Sequence, residues 1–148
     1  MSMFCNQCQE TAKNSGCTIK GVCGKSDLTA NLQDLLIYTC QGLSMVTIHA
    51  RKNGFATGKE SRFIVNSLFM TITNANFDEQ SIISAINQGI RLRDELICSS
   101  SFTETNEYTN WKPGSDTELH AKAATSGVLT FDADENIRGL KQYVLYGL

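Results

Sequence analysis

The chain has 148 residues, the size of one ordinary domain, which is long enough to bury a hydrophobic core. Its 41% hydrophobic and 19% charged residues are typical of a soluble globular protein. A formal net charge of -2 gives no reason to expect nucleic acid or an anionic membrane as a partner. The longest apolar stretches fall far short of the roughly 20 residues that span a bilayer, and the N-terminus has no basic-then-apolar leader. A cytoplasmic location is therefore expected.

The first 26 residues form a segment rich in cysteine and glycine. Its four thiols follow the spacing Cys-x2-Cys-x8-Cys-x5-Cys, at Cys5, Cys8, Cys17 and Cys23. Because nothing marks secretion, clustered thiols in a reducing compartment indicate a metal site rather than disulfides. Two thiolates separated by two residues can point into one concavity while the backbone N–H groups turn toward inorganic sulfide. The segment lacks an amphipathic pattern, so we expect it to need metal to hold its shape.

The cysteine spacing favours an iron–sulfur cluster, but it leaves alternatives open. Four thiolates also suit Zn²⁺, yet structural zinc sites usually use two close cysteine pairs. Here the second pair is five residues apart and is offset by eight residues from the first, a spacing closer to that of iron–sulfur proteins. The alternatives are a zinc-binding structural or protein-interaction module without redox activity, and plain thiols.

Residues 27–98 carry the pattern of an antiparallel bundle of three amphipathic helices. The first helix is predicted from about Asp27 to Lys52, with Ser26 or Asp27 as its cap, Asn53-Gly54 at its end, and one buried apolar stripe. The second is predicted over about 59–73, with Ile72 among its largely buried residues. The third is predicted to begin after Asp78 and to end near Cys98. Cys40 and Cys98 are predicted to be packing residues within apolar stripes.

Residues 99–133 are predicted to be a linker, with an exposed connection over 99–112 and a short helix at about 116–125. Residues 134–148 again look helical, and they contain an internal repeat, because residues 31–43 align without gaps on residues 136–148. Identical pairs are Asn31/Asn136, Leu35/Leu140, Tyr38/Tyr143, Gly42/Gly147 and Leu43/Leu148. A lone amphipathic helix cannot bury its own stripe, so it packs on the first bundle, on another chain, or in a longer protein of which this chain is a fragment. We favour the fragment. The expected fold class is all-α: a three-helix bundle with an N-terminal iron–sulfur-binding loop and the first helix of a second, incomplete bundle.

Several of these segments closely resemble the start of the hybrid cluster proteins, also called prismane proteins or hydroxylamine reductases. The matching stretches are Phe4-Cys-Asn-Gln-Cys-Gln-Glu-Thr-Ala12, Gly16-Cys-Thr, Gly21-Val-Cys-Gly-Lys25, Asn31-Leu-Gln-Asp-Leu-Leu-Ile37, Thr71-Ile-Thr-Asn-Ala-Asn76 and Asp134-Glu-Asn-Ile-Arg138. The resemblance covers essentially the whole chain.

The resemblance implies that Cys5, Cys8, Cys17 and Cys23 are the thiolate ligands of a cubane [4Fe–4S] cluster. Relatives with wider cysteine gaps carry [2Fe–2S] at this place, and the narrow gaps here resemble the [4Fe–4S] type. In the family this cluster relays electrons from a redox donor protein to a hybrid Fe–S–O cluster, which reduces hydroxylamine to ammonia or nitric oxide to nitrous oxide.

The chain departs from the family because the ligands of the hybrid cluster lie in two α/β domains well downstream of the first. Those C-terminal domains are the expected partners, and the hybrid cluster is expected only there. No catalytic residue is expected in this chain, whose share of the mechanism is electron entry. Homo-oligomer formation stays open.

Overall fold

The computed structural model describes residues 2–73, 75–127 and 134–146. Within those ranges the chain is helical, and its only β-type pairing is an isolated bridge between Cys5 and Cys17. The α-helices are α1 (Asp27–Lys52), α2 (Gly58–Ile72), α3 (Glu79–Ser100), α4 (Glu107–Asn110), α5 (Asp116–Ala123) and α6 (Glu135–Tyr146). None of the helices described has the length and hydropathy required of a membrane span. The all-α prediction is confirmed.

Helix α1 is the central element, and its predicted bounds are confirmed. The Ser26 hydroxyl accepts a hydrogen bond from the N–H of Thr29 at 2.9 Å, which caps the helix, and Gly54 beyond its end has φ +82°. The prediction of a single buried stripe is too narrow. Buried residues surround most of the helix, because α2, α3, α4 and α5 all pack on it.

Helices α2 and α3 complete the three-helix bundle with α1. Asp78 caps α3, as predicted, by accepting a hydrogen bond from the N–H of Gln80 at 3.1 Å. The three helices pack tightly at Gly89, where an added Cβ would lie 2.8 Å from the Thr39 side chain and 2.9 Å from that of Phe63. A glycine in α3 therefore permits the close approach of its neighbours. The core is made of Leu32, Leu35, Leu36, Tyr38, Cys40, Leu43, Phe63, Ile82, Ala85, Ile86, Ile90, Leu92, Leu119 and Ala123.

Two predicted packing residues lie on the surface instead. Ile72 at the end of α2 is 45% exposed, and Cys98 in the last turn of α3 is also exposed. The helix ends themselves are covered, since Thr71 is 0% and Ser100 is 5% exposed, so both side chains lie on a face turned away from the bundle, and periodicity overstated their burial. Cys40 in the middle of α1 is 3% exposed, which confirms its prediction as a core residue.

The stretch 99–112 is mostly exposed, as its polar composition predicted, but it is more than a connection. It contains α4, which packs on α1 so closely that a Cβ on Gly42 would lie 2.8 Å from the carbonyl carbon of Tyr108. The buried guanidinium of Arg93 holds this stretch by donating hydrogen bonds to the carbonyl oxygens of Tyr108 at 3.0 Å and Trp111 at 2.8 Å. A buried charged donor fixed to two main-chain acceptors makes the connection part of the bundle.

Helix α6 lies against the cysteine-rich segment through its polar residues. The amide of Gln142 donates to the side-chain oxygen of Asn6 at 3.0 Å, and the hydroxyl of Tyr146 lies 3.1 Å from that of Thr71 in α2. Four apolar residues of the helix are exposed, namely Ile137, Leu140, Tyr143 and Val144, of which the first two and the last lie opposite Gln142. The repeat partners Leu35 and Tyr38 are buried in α1, whereas Leu140 and Tyr143 are uncovered. Gly147 and Leu148, the last two positions of the repeat, lie outside the described residues, as do 128–133 of the predicted linker.

Candidate metal centre

The cysteine-rich segment is folded back on itself by a backbone pairing of two predicted ligands. The N–H of Cys5 donates to the carbonyl oxygen of Cys17 at 3.0 Å, and the N–H of Cys17 donates to that of Cys5 at 2.8 Å. A reciprocal pair of this kind places the two residues directly opposite each other, as in an antiparallel ladder. The structure thus brings together the first and third cysteines.

A compact turn lies between Cys8 and Cys17 and reverses the chain. It contains a short 3-10 helix, Ala12–Asn14, and its conformation depends on backbone with positive φ, which is 55° at Lys13 and 146° at Gly16. An added Cβ on Gly16 would overlap the ring of Phe4. Gly16 therefore has both a conformational and a steric reason to be glycine.

A second turn presents Cys23, the most exposed of the four predicted ligands. The N–H of Gly21 donates to the carbonyl oxygen of Lys25 at 2.9 Å, and the N–H of Gly24 donates to that of Gly21 at 2.9 Å. Gly24 has φ +94°, and a Cβ on Gly21 would come within 3.0 Å of the Cys23 sulfur. Glycine at position 21 thus leaves the Cys23 sulfur uncrowded, and Gly24 supplies the positive φ of the turn.

The segment is anchored on the first turns of α1. Met3, Cys17 and Ala30 form a small buried apolar cluster. The side-chain amide of Asn31 donates to the carbonyl oxygen of Ser2 at 3.0 Å. These contacts place Cys17, with Cys5 packed beside it, near the N-terminal end of α1, where the helix N-terminus favours negative charge.

The surroundings of Cys17 favour its ionised form. Burial of the thiol raises its pKa, but backbone hydrogen bonds from Ala12 and Val22 outweigh that effect, and the hydroxyl of Thr11, 3.8 Å from the sulfur, acts in the same direction. The net result is a pKa below the ordinary thiol value. A thiolate stabilised by N–H and O–H donors is the form that binds metal.

Cys5 has a different balance. Burial raises the pKa of its thiol above the ordinary value, against the effects of a backbone hydrogen bond at Gln7 and of the Lys25 ammonium, whose nitrogen is 4.0 Å from the sulfur. Metal binding replaces the thiol proton, so a site of this kind binds more readily as the pH rises.

The described residues contain no group of three or more His, Cys, Asp or Glu side chains that converge to hold a metal ion. The geometry pairs Cys5 with Cys17, while Cys8 is half-buried and Cys23 is exposed. The donor set is nevertheless soft thiolates, with backbone N–H groups and glycines beside them, which is the chemistry that iron–sulfur clusters and zinc require. By donor type the residues fit the predicted group.

Of the other cysteines and histidines, Cys40 and His49 have packing surroundings, whereas Cys98 and His120 are exposed. Burial raises the pKa of Cys40 to about 12, against the effect of a hydrogen bond with Ser67, so its thiol stays protonated. The ring of His49, near the end of α1, packs edge-on against Phe102 with 5.2 Å between centroids. His120 is exposed on α5.

Sequence reasoning missed the polar residues around the thiols. Lys25 is 1% exposed, although a lysine in a polar loop is expected to be solvated. Asp34 lies on α1 next to the segment and lines a small cavity with Cys5 and Lys25. The sequence did carry one signal for Asp34, because a carboxylate among the apolar residues of a long helix is unusual.

Together these features define a helical domain with a cysteine-rich N-terminal segment suited to metal. The chain belongs to the Prismane/CO dehydrogenase family, whose sequence profile matches residues 3–148. It is 47% identical over 148 residues to a hydroxylamine reductase of Bacteroides thetaiotaomicron, covering all of this chain and 27% of that protein. Hydroxylamine reductases of Thermoanaerobacter pseudethanolicus and Desulfitobacterium hafniense are 43% and 42% identical, and this chain again spans 28% of each. The chain thus spans about a quarter of the length of these relatives.

Proposed function

We propose that Cys5, Cys8, Cys17 and Cys23 bind a [4Fe–4S] cluster as thiolates and that the domain serves electron entry in an oxidoreductase. In that enzyme a hybrid Fe–S–O cluster outside residues 1–148 reduces hydroxylamine to ammonia or nitric oxide to nitrous oxide. The observation that carries the proposal is the folding of four thiols into one small segment, with Cys5 and Cys17 paired, in a member of this family. The names of the similar proteins support the substrate.

The residues of the chain have distinct parts in this proposal. The donors around Cys17 stabilise negative charge on its sulfur, which favours binding of the iron and offsets the charge of the cluster. When bound, the cluster supplies one-electron transfer. The exposure of Cys23 supports electron entry from a redox donor protein at this surface.

The exposed apolar face of α6 supports a further part of the proposal. Ile137, Leu140, Tyr143 and Val144 are 52–75% exposed, and side chains of this kind are normally covered by another part of the protein. We propose that further domains of the same protein cover these side chains. We also propose that the whole enzyme is cytoplasmic.

Metal analysis of the chain tests the proposal. After anaerobic expression and purification, we expect a brown protein that contains iron and acid-labile sulfide in equal amounts and no stoichiometric zinc. A colourless protein with one zinc per chain would instead establish the zinc-binding module. Reconstitution with ferrous iron and sulfide, followed by the same analysis, separates cluster loss during purification from a real inability to bind.

A further inference from the structure

Lys25 is a buried cation whose position is fixed by the chain around it. Its carbonyl oxygen accepts the hydrogen bond from Gly21 that closes the turn around Cys23, and α1 begins two residues later. The residue is 1% exposed. Burying an ammonium group is costly unless it is paired and hydrogen-bonded, so the contacts of its nitrogen indicate what the charge serves.

The Lys25 nitrogen faces the cysteine-rich segment. It donates to the side-chain oxygen of Gln7 at 3.3 Å and lies 4.0 Å from the Cys5 sulfur. The same amide of Gln7 donates from its nitrogen to the hydroxyl of Tyr146 at 3.0 Å. Gln7 is thereby held between two partners, and its oxygen is kept toward the ammonium. The ring of Phe77 lies 5.8 Å from the nitrogen and contributes a cation–π contact.

The carboxyl group of Asp34 lies beside Lys25 and Cys5, because all three residues line the same small cavity. Burial raises the pKa of its carboxyl to about 7, and Lys25 opposes that rise. The charge of Asp34 also raises the pKa of the Cys5 thiol, whereas the charge of Lys25 lowers it. The Cys5 sulfur therefore lies near one buried cation and near a partly buried carboxyl that becomes an anion only as the pH rises through about 7.

We propose that Lys25 is a positioning and charge-balancing residue for the group that the four cysteines bind, and that its ammonium raises the reduction potential of that group. The inference rests on the proposed function. Uptake of one electron adds a negative charge and changes no bond to Lys25. A fixed positive charge close to one ligand sulfur stabilises the reduced form more than the oxidised form, and it does so strongly where water is excluded. Lys20, between Cys17 and Cys23, is exposed and hydrated, so its charge has little effect.

Potentiometric titration of the cluster-loaded chain, followed by electron paramagnetic resonance, tests the inference. In Lys25→Met we expect the ratio of reduced to oxidised cluster at a fixed potential to fall at least tenfold, which is about 59 mV for a one-electron couple. Lys25→Arg should keep most of the wild-type potential, because it retains the charge. Lys20→Met is the matched control and should titrate like the wild type.

A second variant protects the test if Lys25→Met does not fold or does not bind iron. Asp34→Asn, measured at a pH about two units above 7 so that the native carboxyl is ionised, removes the anion and leaves the cation, so its potential should rise. Wild-type potentials in every iron-binding variant at Lys25 and Asp34 would overturn the inference while leaving the proposed function intact. A wild-type chain that binds no iron after reconstitution would instead overturn the proposed function itself.

Discussion

Asp34 makes the stability of the domain depend on pH in a direction opposite to that of most carboxylates. Burial raises the pKa of the folded carboxyl to about 7, against the effect of Lys25, whereas the ordinary value is 3.8. Between these values the folded chain holds a proton that the unfolded chain has lost. The contribution of Asp34 to the free energy of unfolding is therefore largest below pH 4, and it decreases as the pH rises to about 7.

The magnitude follows from the two pKa values. A difference of about three units, at roughly 1.4 kcal/mol for each unit, gives about 4 kcal/mol as an upper value. Asp34 keeps some exposure to solvent, which screens the charged form, so we expect about 2–3 kcal/mol. Asp34→Asn has no proton to lose, and its contribution to the slope should vanish.

Urea unfolding of the cluster-free chain under reducing conditions, at intervals from about pH 4.5 to 8, measures this contribution. Subtracting the Asp34→Asn curve from the wild-type curve isolates Asp34 from the other carboxylates. The exposed Asp116 on α5 provides the control Asp116→Asn, whose curve should run parallel to the wild type. Parallel curves for Asp34→Asn and the wild type would refute the assignment of a raised pKa to Asp34.

Three further substitutions test the packing that supports the site. Arg93→Met leaves two partly buried carbonyl oxygens without their donor and should lower the free energy of unfolding by about 2–4 kcal/mol. Arg91→Met, on the exposed face of α3, should change it little. Gly16→Ala forces a side chain onto φ +146° and into the Phe4 ring, so it should cost about 1–3 kcal/mol and lower the iron content. Gly139→Ala, which meets open space within α6, should stabilise the chain by about 0.5–1 kcal/mol. Urea unfolding measures all three changes in the free energy of unfolding. A change opposite in sign to the expected one would contradict the structural reason given for that substitution.

Much of the helical framework was predictable because local signals define it. Ser26 and Asp78 are good capping residues placed directly before apolar periodicity, and both act as caps in the structure. The docking of α4 within 99–112 could not be predicted, because it depends on hydrogen bonds from Arg93, a residue of another helix. The polar composition of the stretch carries no sign of such a tertiary contact. Likewise, α1 is buried on most sides because four other helices pack on it. The apolar periodicity of α1 alone does not show how many helices will surround it.

The sequence predicts which residues belong to the candidate site, but it does not predict the contacts that surround them. Cysteine spacing selects the four thiols, and the neighbouring glycines explain how the backbone accommodates them. The pairing of Cys5 with Cys17 and the burial of Lys25 against Gln7 depend on how the segment folds onto α1. Contacts that join residues far apart in the sequence leave no local pattern.

The central claim is that the four N-terminal thiols act together as the ligands of one iron–sulfur cluster. Its most direct test is the iron content of four anaerobically reconstituted serine variants, one at each of Cys5, Cys8, Cys17 and Cys23, with Cys98→Ser as an exposed-cysteine control. We predict that each of the four loses most of its iron and visible absorption, while Cys98→Ser keeps the wild-type content. Full iron and colour in any of the four, or an equal loss in Cys98→Ser, would contradict the claim.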